Sequence, residues 1–287
     1  MKNKALITLF AAVVIYLTGC QSHTSYPAAG KSVVRVAVIG GMTMTGLWQE
    51  ISRMFEEQTG YSVEVVVTGQ RNGLSDTLRD GKVDLLTMHS GDITTDLVAD
   101  GFGINMRPWT RNELVIIGTP NDPAEIRGLR DGSEAFRQIA EHHANFVDFF
   151  DIGAREVCHK LWKKAGIRPQ GDWYLKDEST NHLEIVNFAE KNNAYVVVGR
   201  MPVLFGKIEM KGMEILVEND PEMRRPYIVM EINPDRFPEA NFKGARCLSD
   251  FLLSSTVQDF LAQSATNQRG NLPLFYPVVA QEIKQKQ

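Results

Sequence analysis

A regular alternation of short apolar strands and amphipathic helices, beginning near residue 33, constrains the fold of this chain most strongly. The spacing of apolar residues predicts strands at 33–39, 63–67 and 83–88, and helices at 47–60, 74–79 and 96–103. Strand–helix–strand–helix order is typical of a mostly parallel sheet covered by helices. We therefore expect an α/β fold with this sheet as its first layer.

The middle of the chain predicts a second unit. A strand at 113–118 leads into helices at 133–145 and 155–165 and a very apolar strand at 194–198, and the strand at 227–232 leads back. One or two helical pieces follow at 248–261. We predict two lobes with a mixed, mostly parallel sheet in each, residues 33–113 plus 228–287 and residues 114–227. The crossing strands would form a hinge beside a cleft.

The N-terminal sequence predicts that the protein is exported from the cytoplasm. Lys2 and Lys4 precede an apolar run at 5–17, which is shorter than the ~20 residues that span a membrane. The run ends in Leu-Thr-Gly-Cys20, an order similar to a bacterial lipobox. We predict a signal peptide at 1–19, lipidation of Cys20 and a flexible tether at 20–32. A buried helix that ends in a chance Gly-Cys pair is the alternative.

The net charge argues against one class of partner, and the cysteine content leaves open whether a disulfide forms. The formal net charge of the chain is −4, and removal of Lys2 and Lys4 would make it more negative, which argues against a nucleic-acid partner. Cys158 and Cys247 would be the thiols left after Cys20 is lipidated, and the sequence leaves open whether they pair.

No catalytic or metal-binding motif stands out. Cys158 and His159 are adjacent and so point about 100° apart on a helix, which favours a buried structural thiol over a nucleophile. His142 and His143 lack the spacing of helical metal ligands. We predict no enzyme activity, no cofactor and no metal.

The loops that follow the first three strands are rich in glycine, hydroxyl and amide groups. Ligands of open α/β sheets bind beyond the carboxyl ends of the strands, and helix N-termini there favour anions. Thr43 and Thr45 could donate to such a ligand, or could cap their own helix. The candidate ligand-binding residues in these loops are Gly41, Thr43, Thr45, Thr68, Gly69, His89 and Ser90.

Between about residues 36 and 260 the chain resembles a known family. The matching segments occur in order at 67–70, 83–89, 113–118, 161–167, 171–174, 194–195 with Arg200, and 214–218. They resemble the extracellular tungstate- and molybdate-binding proteins of ABC importers. The resemblance implies a two-lobed type II periplasmic-binding-protein fold, an oxyanion ligand and an ABC permease as partner.

Several departures from the family pattern fall on its ligand site. The family's threonine-rich loop corresponds to residues 38–41, and its Ser-Gly-Thr-His corresponds to 153–156. Phe149 occupies the position of the family arginine. Arg155 could restore that charge or be an exposed helix residue, and Phe149 could line an organic-ligand pocket or the core. Arg200 could close the cleft or brace a loop.

Two functional hypotheses follow. The first is a lipid-anchored substrate-binding protein, at the periplasmic or extracellular face of the cell envelope, that captures a tungstate-like oxyanion or another small anion by hinge closure. The second is a repurposed binding domain that acts as a sensor or accessory lipoprotein through protein contacts. We favour the first.

Overall fold

The computed structural model describes residues 33–149, 152–177, 182–263 and 272–278. The strands are β1 (Val33–Ile39), β2 (Ser62–Gly69), β3 (Leu85–His89), β4 (Gly103–Gly118), β5 (Phe146–Phe149), β6 (Tyr174–Asp177), β7 (Val196–Gly199), β8 (Glu214–Val217), β9 (Arg224–Ile232) and β10 (Tyr276–Pro277). The helices are α1 (Gly40–Met44), α2 (Leu47–Thr59), α3 (Arg71–Arg79), α4 (Asp92–Ala99), α5 (Gly132–Glu141), α6 (Ile152–Ala165), α7 (His182–Lys191), α8 (Arg200–Leu204), α9 (Phe242–Leu252) and α10 (Ser255–Gln263).

The main sheet is mixed and has the strand order β10–β4–β9–β3–β1–β2. β1 pairs in parallel with β2 and β3, whereas β9 runs antiparallel to both β3 and β4. The predicted α/β class is therefore confirmed.

The long strand β4 connects two parts of the molecule. Its first section pairs with β9 as far as Glu113 opposite Arg224. From Leu114 onward it pairs instead with β7 and β8. The sequence predicted only the second section, at 113–118, because the polar residues of the first section hide its strand character.

Buried apolar side chains form two clusters, one on each section of β4. The first contains Trp48 and Trp109, whose rings meet edge to face with centroids 6.4 Å apart. The second contains Phe136, Trp162 and Trp173, and the Phe136 and Trp162 centroids lie 4.2 Å apart. The tryptophans of the matching segments at 161–167 and 171–174 thus belong to the second core.

Two local predictions were wrong in position. The helix predicted at 96–103 lies at Asp92–Ala99, because Thr94 Oγ1 accepts a hydrogen bond from Gly91 N–H at 3.0 Å and so starts the helix early. The segment before residue 47, predicted as a loop, contains α1. Gly46, with φ of +78°, turns the chain from α1 into α2.

The two cysteines of the described chain do not pair with each other. Cys158 lies in the second cluster and Cys247 in the first, and both are buried. Burial raises the pKa of the Cys158 thiol far above its usual value, which fits the structural role predicted for it. No helix among the described residues has the length and apolar character to cross a membrane.

Candidate functional site

The loops that follow β1 and β2 meet because both strands are neighbours in the sheet. The hydroxyl oxygens of Thr43 and Thr68 lie 2.8 Å apart, so a hydrogen bond joins the two loops. Gly40 faces Gly69 closely, and a methyl group on Gly40 would lie 3.6 Å from the Gly69 carbonyl oxygen. The candidates Thr43, Thr68 and Gly69 therefore lie together at the carboxyl ends of two adjacent strands, as does Gly40, the neighbour of the candidate Gly41.

The two threonines of the first loop differ in their contacts. Thr45 Oγ1 lies 3.0 Å from the Gly41 carbonyl oxygen, so its hydroxyl donates within its own short helix. Thr43 Oγ1 lies 3.1 Å from the Gly40 carbonyl and also reaches the second loop. Gly41 faces β9, because a methyl group there would lie 3.6 Å from the Tyr227 hydroxyl. Neither threonine has the capping role that we left open, because Ile39 and Gly46 occupy the N-cap positions of α1 and α2.

His89 ends the third strand and packs against β9. Its ring stacks on Tyr227 with the centroids 4.2 Å apart and the planes at 28°. Both ring nitrogens are inaccessible to solvent, and neither makes a hydrogen bond within the described chain. Ser90 N–H donates to the Pro226 carbonyl at 3.1 Å, which fixes the third loop against β9.

Positive charge surrounds His89. Burial lowers the pKa of His89 well below its usual value, and the charges of Arg225 and Arg71 lower it further. The nearby Asn112 side chain opposes this lowering of the pKa, although it does not reach hydrogen-bonding geometry with the ring nitrogens. The imidazole is therefore neutral at physiological pH. Burial raises the pKa of Tyr227, while the same two arginines oppose that rise.

Sequence reasoning missed these two arginines. Arg225 lies on β9 opposite Asn112 of β4 and is 8% exposed. Its guanidinium packs against the α-carbon of Gly153 in the first turn of α6. Arg71 begins α3, and its Nη1 would lie 3.9 Å from a methyl group on Gly91. Arg71 is the last residue of the predicted strand-end loop at 68–71 and was not chosen as a candidate, whereas no motif marks Arg225.

The two arginines that the sequence did suggest interact with carboxylates. Arg155 Nη2 lies 2.9 Å from Asp148 Oδ2, and Asp148 is 5% exposed. Arg200 Nε lies 2.8 Å from Glu218 Oε2, and its Nη1 lies 3.2 Å from the Pro273 carbonyl oxygen. For Arg200 these contacts favour the bracing role over closure of the cleft.

Two candidates can be placed only in part or not at all. The backbone of Phe149 ends β5 and pairs with Asp177 of β6, while its side chain is not among those described. Cys20 lies outside the described residues, so its lipidation stays a prediction.

The chemistry of the site is that of donors and positive charge. Hydroxyl groups, guanidinium groups and a neutral imidazole converge at the strand ends, and such groups suit an anion. No cluster of three potential metal ligands occurs among the residues that the structure places.

Comparison with known proteins gives consistent matches over most of the chain. Residues 36–264 match the family described as bacterial extracellular solute-binding protein. A tungstate-binding protein, TupA, of Peptoclostridium acidaminophilum is 27% identical over 284 residues, which cover 96% of this chain and 98% of that protein.

Solved structures agree with this placement. The tungstate-binding protein TupA of Desulfovibrio alaskensis superposes with a TM-score of 0.70 at 24% identity, covering 86% of this chain and 98% of that one. A protein described as the tungstate ABC transporter from Geobacter sulfurreducens gives 0.64 at 25% identity, with 80% and 98% covered. The predicted periplasmic-binding-protein fold is confirmed. By the match of residues 36–264, the chain belongs to the bacterial extracellular solute-binding protein family.

Proposed function

We propose that this protein is a lipid-anchored receptor that captures a small oxyanion in a cleft between two lobes and delivers it to an ABC permease. The observation that carries the proposal is the set of donors at the strand ends: the joined hydroxyls of Thr43 and Thr68, and His89, whose ring nitrogens are buried and whose pKa the charges of Arg225 and Arg71 help to lower. The groups bind and orient a solute, and no reaction is assigned to them.

An anion fits these groups on physical grounds. Burial of a charge costs free energy unless opposite charge and hydrogen bonds compensate it. Guanidinium groups remain charged at all physiological pH values and provide several donors each. The Thr43 and Thr68 hydroxyls can add neutral hydrogen bonds, while His89 can donate from one nitrogen and accept at the other.

The relatives of the chain suggest which kind of anion it binds. Tungstate-binding proteins are among those that match the chain over most of its length. We therefore propose a tetrahedral oxyanion of the tungstate and molybdate type. The departures at Phe149 and 153–156 predict that the charge comes from residues other than the family arginine.

The N-terminal sequence supports a location of the receptor outside the cytoplasm. The basic residues, the apolar run and Cys20 predict export and lipidation, and the family is extracellular. Several acyl carbons in a membrane give an anchor of roughly 0.8 kcal/mol per CH₂ group. We propose that the tether at 20–32 holds the binding domain close to the permease, at the outer face of the membrane.

Hinge closure would couple binding to delivery. We propose lobes at 33–113 plus 228–287 and at 114–227, since each section of β4 carries its own apolar cluster. The strands β4 and β9 would bend near their Glu113–Arg224 pair. A ligand that contacts both lobes stabilises the closed form by its differential affinity for that form.

Titration calorimetry tests the ligand. A chain of residues 21–287 is titrated with tungstate, molybdate, sulfate, phosphate and small carboxylates. We expect submicromolar binding of tungstate or molybdate and weak or no binding of the carboxylates. Absence of binding for every anion would contradict the proposal and favour the sensor or accessory role.

X-ray scattering tests closure on the same material. We expect the radius of gyration to fall when the bound anion is present at saturation. An unchanged radius with tight binding would rule out hinge closure while leaving the binding function intact.

Metabolic labelling of the full chain with a fatty acid, beside Cys20→Ala, tests the lipid anchor separately.

A further inference from the structure

We propose that Arg225 is the residue that supplies charge to the bound oxyanion and sets a preference for a double over a single negative charge. The inference rests on the proposed function and deepens it. It assigns to β9, in the connection between the two clusters, the part that the family resemblance places on the residue at position 149.

The place of Arg225 in the sheet brings it to the site. It lies opposite Asn112 of β4, and two residues further along β9 Tyr227 lies opposite His89 of β3. The charge of Arg225 thus acts on His89, which ends β3, and on Tyr227 of β9, the strand that connects the two clusters.

Burial gives this charge its strength. Arg225 is 8% exposed, whereas Arg71 is half-buried at the start of α3. Charges interact more strongly where water is excluded, so the buried guanidinium contributes more to the affinity for an anion than the one near solvent. Arg225 also has other interactions within the protein, and its five N–H donors allow a ligand to share it.

Gly153 gives the guanidinium its room. A methyl group at this position would overlap the guanidinium of Arg225, which therefore occupies the space left by a missing side chain. Gly153 lies in the first turn of α6, and the dipole of a helix is positive at that end. The guanidinium and the helix terminus therefore bring positive charge to the same place, which favours an anion beside them.

A pair of tetrahedral anions of similar size but different charge tests the proposal. Tungstate carries two negative charges and perrhenate one. We expect the wild-type chain to bind tungstate much more tightly than perrhenate. In Arg225→Gln the affinity for tungstate should fall by about 100-fold, with a much smaller fall for perrhenate, because a buried charge partner has been removed.

Two further variants separate charge from structure. Arg225→Lys keeps the charge without the fork and should retain much of the preference for tungstate. Gly153→Ala should displace the guanidinium and lower the affinity for tungstate by about tenfold, without removing any charge. Arg127→Gln, which alters an arginine paired with Glu214 on the surface at 2.6 Å, is the matched control.

The outcomes are distinct. Equal losses for both anions in Arg225→Gln would overturn the proposal, because a structural role lowers both affinities alike. Unchanged affinities would overturn it as well. If Arg225→Gln does not fold, the proposal depends on Gly153→Ala and fails if that variant keeps full discrimination. If the wild-type chain binds neither anion, the proposed function itself is wrong.

Discussion

Arg200 and Arg225 are both almost buried, at 3% and 8% exposure, yet their surroundings differ in chemistry. Arg200 Nε lies 2.8 Å from Glu218 and 3.7 Å from Glu113, so its charge belongs to an internal ion cluster. The charge of Arg225 falls on His89 at the strand ends. If Arg225 binds the anion as we propose, the position of a buried arginine relative to the strand ends, rather than its burial, distinguishes a ligand-binding role from a bracing role.

The largest expected effect is the loss of Arg200. Arg200→Leu removes one of the two arginine charges that act on the 1% exposed Glu113, the other being that of Arg224, and we expect the free energy of unfolding to fall by about 3–5 kcal/mol. Urea denaturation measures this change. The same loss should be seen with and without tungstate, whereas Arg225→Gln should reduce the stabilisation that tungstate adds.

The control for Arg200 is an exposed pair of similar geometry. Arg127 and Glu214 are about half exposed, at 47% and 48%, so Arg127→Leu should cost less than about 1 kcal/mol. The comparison between the two arginines would break if Arg200→Leu kept wild-type stability but no longer bound tungstate. Arg200 would then be a ligand-binding residue, as the sequence alone allowed.

Glu113 offers a smaller effect in the same ion cluster. Burial raises the pKa of Glu113, although Tyr276, whose hydroxyl lies 2.9 Å away, and Arg200 oppose the rise. The folded state then holds the proton more tightly than the unfolded state. Stability contributed by protonated Glu113 is therefore lost as pH rises from the ordinary glutamate value through the raised one.

Glu113→Gln tests that sign. The substitution should remove this downward slope, so that stability rises more steeply with pH between 4 and 6 in the variant than in the wild type. Thermal unfolding across this range measures both slopes. Identical slopes would show that Glu113 does not titrate with a raised pKa.

The sequence predicted the strand-end loops but not the charges that face them. Thr43 and Thr68 were accessible to prediction because glycine and hydroxyl residues follow regular apolar strands, and strand order brings such loops together. Arg225 was not, because its contact with Gly153 joins residues that are far apart in sequence and on different elements. Residue type also failed to distinguish it from Arg200, since both are arginines in or directly after a strand.

The hydroxyl groups give the next prediction. Thr43→Val and Thr68→Val should each lower the affinity for tungstate by about tenfold, because one removes the hydroxyl that donates to the anion and the other removes the hydroxyl that orients it. Calorimetry on the single and double variants measures the coupling through their 2.8 Å contact. Thr77→Val, whose hydroxyl donates to the Gly73 carbonyl on the exposed face of α3, should leave binding unchanged.

A purely additive double variant would count against a shared ligand contact. Each hydroxyl has one proton, so one hydroxyl donates to the anion while it accepts from the other; the two are therefore coupled, and the second substitution should cost less than the first. Losses of this size would still be smaller than the loss in Arg225→Gln, since a neutral donor contributes less than a buried charge.

The smallest effect concerns His89 and sharpens the contrast between charged and neutral groups. With its pKa well below the usual value, His89 stays neutral between pH 6.5 and 8.5 and should change tungstate affinity by less than about twofold over that range. A cationic imidazole would instead strengthen anion binding as pH falls. The lowered pKa of His89 also makes the stability of the fold depend on pH, because the unfolded state takes up the proton at a higher pH than the folded state.

The free energy of unfolding should therefore fall as pH drops below about 6.5, and His89→Asn should lose less stability on acidification than the wild type. The exposed His142, replaced by Asn in the same way, provides the matched control. Binding that tightens tenfold between pH 8.5 and 6.5 in the wild type, but not in His89→Asn, would mean that His89 carries positive charge to the ligand and that the arginines do not act alone.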